Sequence, residues 1–129
     1  MDLHSATFGE FPGGGIFSGN TYIQTLNLHN ATFAKMTNAQ QLFFGMKALT
    51  SLDLSAATFE KVTNAQQMFN QYDNHHLTTI SMPEATFNSL TNAYAMFILD
   101  GLEELNMPKA TFANVTNTTF IDRDRKSVV

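Results

Sequence analysis

The chain has 129 residues, 43% of them hydrophobic and 14% charged, with a formal charge of −4 and no cysteine. One domain is expected, with a packed interior and a polar surface made mostly of uncharged Thr, Asn, Ser and Gln. The only basic cluster, Arg123, Arg125 and Lys126, is interleaved with Asp122 and Asp124, which excludes a nucleic-acid footprint; the missing thiols exclude disulfides, cysteine zinc sites and thiol catalysis; and no run approaches the ~20 apolar residues of a membrane span.

The tripeptide Ala-Thr-Phe recurs five times, at Ala6-Thr7-Phe8, Ala31-Thr32-Phe33, Ala57-Thr58-Phe59, Ala85-Thr86-Phe87 and Ala110-Thr111-Phe112, so the period is 25 to 28 residues. A period in this range marks units that cannot bury their apolar faces alone and must stack on their neighbours. Ahead of each tripeptide, inward residues alternate with polar ones: Leu26/Leu28, Leu52/Leu54, Ile80/Met82 and Leu105/Met107, with Leu3 starting the same register. That period of two predicts short half-buried strands, which crossover connections would bring together as a parallel ladder.

Along the chain, the first unit carries Pro12-Gly13-Gly14-Gly15-Ile16-Phe17, a turn-rich loop in which Ile16 and Phe17 are expected to fill the slots of Leu42 and Phe43 in the next unit. Ala-Thr-Phe should run extended, Ala and Phe inward and Thr outward, with a second narrow ladder between units. After it, Ala39, Leu42 and Phe43, then Ala65, Met68 and Phe69, then Ala93, Met96 and Phe97, fall at i, i+3 and i+4. This spacing predicts short helices, capped by Thr37 with Gln40 and by Thr63 with Gln66; Thr91 keeps the cap although Tyr94 replaces the Gln. The longest spacing comes from Asn70-Gln71-Tyr72-Asp73-Asn74-His75-His76, an insertion expected to be a surface corner whose shortening the fold would tolerate. Val115-Thr116-Asn117 begins a last unit, Thr118-Thr119-Phe120 falls two residues short, and a charged tail over 122–129 is expected to fray. The fold expected is an α/β repeat solenoid over 1–121, like a leucine-rich repeat, with a parallel β ladder, short helices on the opposite side and four to five repeats.

The pattern Leu-x-x-Leu-x-Leu, then Ala-Thr-Phe-x-x-Val-Thr-Asn-Ala-x-x-Met-Phe, resembles the BspA-like leucine-rich repeats of bacterial surface proteins, in the Val-Thr-Asn-x-x-x-Met-Phe type, over about residues 3 to 120. The units ending at Phe43, Phe69 and Phe97 carry it most fully. The resemblance implies a secreted or surface-anchored bacterial protein with a role in adhesion. It brings no catalytic residues. Residues 1 to 20 hold no secretory leader, so secretion would require that the leader had been removed.

Several groups carry candidate chemistry. His4 and His29 each follow an inward leucine, on one outward column that continues as Ser55, Pro83 and Pro108, and are expected to stack; a shared metal or a pH-sensitive pair is the functional alternative. Asp73, His75 and His76 form the other metal candidate, although adjacent loop histidines point apart and further ligands are missing. Glu103 and Glu104 near Asp100 could attract a cation but read as a solvated edge. Thr7, Thr32, Thr58, Thr86 and Thr111 align as one outward column, too thin for a crystal-matching surface. Asn38, Asn64, Asn92 and Asn117 align as turn-bonding residues. The sequons at Asn30, Asn114 and Asn117 follow from repeat composition.

No cluster of acid, base and nucleophile interrupts the repeat, so no enzyme, metal or cofactor is expected. The outward strand positions Thr25, Asn27, Ser51, Asp53, Thr79, Ser81, Glu104 and Asn106 vary between units, as a binding face does. A protein or glycan ligand is therefore expected on that face, in an extracellular or cell-surface setting. The alternative is a structural spacer within a larger surface protein. Neither end shows a dedicated polar cap, so end-to-end self-association, or excision from a longer array, is also expected.

Overall fold

The computed structural model describes residues 1–10, 15–71, 74–99 and 101–116. Its regular elements are four three-residue strands, β1 (Thr25–Asn27), β2 (Ser51–Asp53), β3 (Thr79–Ser81) and β4 (Glu104–Asn106). They form one parallel sheet in chain order, with Leu26 opposite Leu52 and Ile80 opposite Leu105. The middle residue of each strand is buried and its first is exposed, so the alternation read from sequence is the physical reason these segments are strands. The ladder extends one unit further towards the N-terminus. Asp2 bridges Asn27 in parallel, and Leu3 N–H donates to the Asn27 carbonyl at 2.9 Å.

Past each strand a four-residue turn closes, as in the Ala31 N–H to Leu28 carbonyl bond of 2.9 Å, and the chain enters Ala-Thr-Phe. Thr7 bridges Thr32, and Thr111 N–H donates to the Thr86 carbonyl, but among the described residues no backbone bond joins residues 31–33 to 57–59 or 57–59 to 85–87, so the second ladder expected here forms only at the two ends; Asn38, Asn64 and Asn92 bridge in parallel further along each unit. The phenylalanines turn inward and stack in a row: Phe8 on Phe33 at 4.8 Å, Phe33 on Phe59 at 4.9 Å, Phe59 on Phe87 at 5.3 Å and Phe87 on Phe112 at 6.0 Å between centroids. A second row joins Phe17, Phe43, Phe69 and Phe97 at 5.6, 5.3 and 5.4 Å, so Phe17 fills the expected slot. Thr58 lies on the outward side of its tripeptide and its hydroxyl makes no hydrogen bond among the described residues. Thr58→Ala is expected to move stability by no more than ~0.5 kcal/mol, read as an unchanged denaturant midpoint.

The helices do not form; among the described residues the regular elements are strands alone. In place of the i to i+4 bonds of a helix, alternate amides reach across to the next unit. Ala39, Gln41, Phe43 and Gly45 N–H donate to the carbonyls of Asn64, Gln66, Met68 and Asn70, and Ala65, Gln67, Phe69 and Gln71 N–H repeat this onto Asn92, Tyr94, Met96 and Ile98. A helix this short would have to overcome its nucleation cost for very few bonds, whereas the ladder supplies a partner for the same amides at once. The chain bends between those bonds at a turn closed by Leu42 N–H to Ala39 O, and the third residue of each such turn is left-handed: Gln41 at φ 55°, Gln67 at 55° and Ala95 at 54°. Each left-handed non-glycine residue costs about 1 to 2 kcal/mol. Gln41 Nε2 donating to Gln67 Oε1 at 2.9 Å ties two of these turns together.

With no helix to cap, the threonines serve elsewhere. Thr37 Oγ1 donates to Glu10 at 3.0 Å, while Thr63 and Thr91 Oγ1 donate to the carbonyls of Thr37 and Thr63.

Two glycines are required by close backbone approach. A Cβ on Gly15 would lie 1.6 Å from the Gln41 carbonyl oxygen, and one on Gly101 would lie 2.8 Å from that of His75. The insertion is a surface loop only in part: His75 and His76 are exposed, but Asn70, Gln71 and Asn74 are buried. Tyr72, Asp73, Asp100, the Pro12-Gly13-Gly14 part of the first loop, Asn117 with its sequon, Phe120 and the 122–129 tail lie outside the described residues.

Candidate functional site

The eight strand positions singled out from sequence fall into two outward columns flanking the buried Leu26, Leu52, Ile80 and Leu105. Thr25, Ser51, Thr79 and Glu104 form one, all exposed; Asn27, Asp53, Ser81 and Asn106 form the other, exposed or half-buried. The parallel register brings them together, and Asp2 continues the second column past Asn27.

That second column is wired along and across the ladder. Asp2, Asn27 and Asp53 each turn Oδ1 onto the amide two residues on, those of His4, His29 and Ser55, at 3.0, 3.0 and 2.9 Å, which starts the turn after the strand. Pro83 and Pro108 occupy the corresponding places after β3 and β4 and have no amide to offer. Between units, Asn27 Nδ2 donates to Asp2 Oδ1 at 3.0 Å and Asn106 Nδ2 donates to Ser81 Oγ at 3.2 Å.

Asp53's carboxyl lies below its ordinary value, first because the Ser55 hydroxyl donates to it, then because the Ser55 amide does; burial opposes them, and the charge of His29 adds the smallest favourable effect. A folded value below the unfolded one gives a contribution to stability that is present above the ordinary carboxylate range and lost as pH falls through the lowered value.

His4 and His29 stack as expected, with centroids 5.4 Å apart and planes 14° from parallel. His29 Nδ1 lies 2.7 Å from Ser55 Oγ. The contact links two units, and which of the two atoms donates is set by the imidazole tautomer. His75 and His76 are exposed neighbours, and among the described residues no three His, Asp or Glu side chains are placed to hold a metal ion. Glu103 and Glu104 are exposed.

The asparagine column bonds turn amides: Asn38, Asn64 and Asn92 Oδ1 accept from Gln40, Gln66 and Tyr94 N–H at 3.0, 3.0 and 3.1 Å. Of the sequon asparagines, Asn30 is exposed at φ 58° and Asn114 Nδ2 donates to the Asn88 carbonyl at 2.9 Å.

Two features were missed in the sequence. Asn74 is buried and fully engaged, donating to the Met46 and Leu49 carbonyls at 3.0 and 2.8 Å and accepting from His76 and Leu77 N–H at 2.7 and 3.2 Å. Its signal was a recurring Asn six residues before the central residue of a strand, since Asn20 accepts from Tyr22 and Ile23 N–H in the same way. The other is a cavity of about 470 Å³ at the N-terminal end, lined by Met1, Ile16, Phe17, Gly19, Tyr22 and Ile23 among others. No helix is long and apolar enough to cross a membrane among the described residues. Comparison with known proteins returns no match among family models, curated proteins or solved structures.

Proposed function

We propose that the chain is a leucine-rich-repeat-like solenoid of the BspA-like type, and that it works as a non-enzymatic binding module at a cell surface or outside the cell, recognising a protein or glycan through its outward strand face. The observation that carries this reading is the contrast between the two sides of one ladder. Inward, the units of β1, β2 and β3 repeat the same chemistry, Leu or Ile at the strand centre and Phe in both stacked rows. Outward, the columns read Thr, Ser, Thr, Glu and Asn, Asp, Ser, Asn, so side chains change while their spacing stays fixed. A rigid backbone presenting variable polar side chains is the economy of a recognition surface.

The test is steric. Ser51→Trp and Thr79→Trp add bulk at exposed strand positions, where an aromatic residue suits the backbone and the core is untouched. The unaltered chain is applied to arrays of glycans and of extracellular proteins, and each ligand found is re-measured against both variants. Loss of about tenfold or more in affinity is expected. Ligands that bind both variants unchanged would place recognition elsewhere on the molecule.

A further inference from the structure

Taking the strand face as the binding face, we infer that its partner is cationic, a lysine- and arginine-rich segment of a protein, and that polyanionic glycans are excluded from it. The first support is the sign of the charge. Asp2, Asp53, Glu103 and Glu104 stand exposed on or directly beside the strand columns. Lys35, Lys47, Lys61 and Lys109 are the described lysines, and none falls within β1 to β4 or next to a strand end; Lys109 is paired with Glu84 at 2.5 Å. His4 and His29 occupy the turn beyond the columns and not the columns themselves.

The second support is what remains for a ligand to bond. One N–H of each amide of the face is used within the ladder, that of Asn27 Nδ2 on Asp2 and that of Asn106 Nδ2 on Ser81. Carboxylate oxygens are left as its strongest acceptors, and Asp53 is held in its ionised form by the Ser55 hydroxyl and amide. A surface whose charged side chains are all carboxylates is complementary to ammonium and guanidinium groups, and the Met1 amine at its N-terminal edge is already bonded to the Thr25 carbonyl at 2.6 Å. The same surface repels sulfate and uronate.

The test uses fluorescence anisotropy of the whole chain with a labelled Lys/Ser peptide, a Glu/Ser peptide of equal length, and heparin. The Asp53→Asn/Glu104→Gln double variant removes two charges from the face. It should fold, because Asn27 holds the position equivalent to Asp53 and already makes the same bond to the turn amide. A second double variant, Glu10→Gln/Glu60→Gln, removes two charges away from the strands.

The expected result is binding of the Lys/Ser peptide that weakens at least about fivefold in the first variant, stays unchanged in the second and falls with added salt, with neither Glu/Ser peptide nor heparin bound. Equal weakening in both variants would mean bulk charge alone and overturn the inference, as would binding of heparin. A neutral glycan that binds, is lost with Ser51→Trp and ignores both charge variants would overturn the cationic partner while the face reading stands. Peptide binding untouched by Asp53→Asn/Glu104→Gln and by Ser51→Trp alike would sink both.

Discussion

Phe59→Ala is expected to cost about 3 to 5 kcal/mol, the range for truncating a fully buried phenylalanine. Phe59 is completely buried between Phe33 at 4.9 Å and Phe87 at 5.3 Å, in the middle of its row. The cost should fall near the top of that range because the gap cannot close. Rings above and below are held apart by the hydrogen-bonded ladder, whose rise of about 4.8 Å per unit is fixed by backbone geometry. Each unit touches chiefly its neighbours, so a loss at the centre also weakens the coupling between the two halves, and the denaturant slope should drop along with the midpoint. Phe87 is the less clean choice, since its φ of 52° and the buried, unpartnered Thr86 Oγ1 beside it mix backbone strain into the measurement. A midpoint for Phe59→Ala within ~0.5 kcal/mol of the parent would show that the stacked row does not hold the units together.

What could be read from sequence was whatever a side chain reveals by being inward or outward. Leu26, Leu52, Ile80 and Leu105 alternate with polar neighbours and are buried strand centres; the Ala-Thr-Phe phenylalanines recur at one slot and form one row; His4 and His29 share a column and stack. The helices were misread because Ala39, Leu42 and Phe43 say only that three residues point inward. A helix turns such residues inward, and so does a chain that bends through a left-handed Gln41. What separates the two is where the amides go, and the Phe43 N–H finds its partner at Met68, in the next unit. Nothing in a single unit encodes that choice, because it is settled by the neighbour. The strand face was legible as a set of positions, but its internal bonds, such as Asn106 to Ser81, appear only once the parallel register is known.

Asn74→Ala is expected to destabilise the chain by about 3 kcal/mol, more than its single side chain suggests, because four backbone groups lose a partner at once. The Leu49 carbonyl would lose its donor, the Met46 carbonyl one of two since the Leu49 N–H stays on it, and the His76 and Leu77 amides their acceptor, around a side chain only 1% exposed. The effect is directional. Asn74→Asp keeps an oxygen for the two amides but turns a second oxygen towards two carbonyls, so it should be no better than the alanine variant despite its nearly identical shape. Asn20→Ala, which removes only the two acceptor bonds at a more open corner, should cost about 1 kcal/mol.

The same bonds decide the fate of a shortened insertion. A deletion that restores the shorter period but removes Asn74 takes away the clip between the Met46–Leu49 corner and the next strand, so unfolding of that corner is expected in place of tolerance. Hydrogen exchange at the His76 and Leu77 amides reads the clip directly. If those amides remain protected in Asn74→Ala, or if the aspartate variant matches the parent in denaturant, then Asn74 does not hold this corner and the insertion is the dispensable loop its composition suggests.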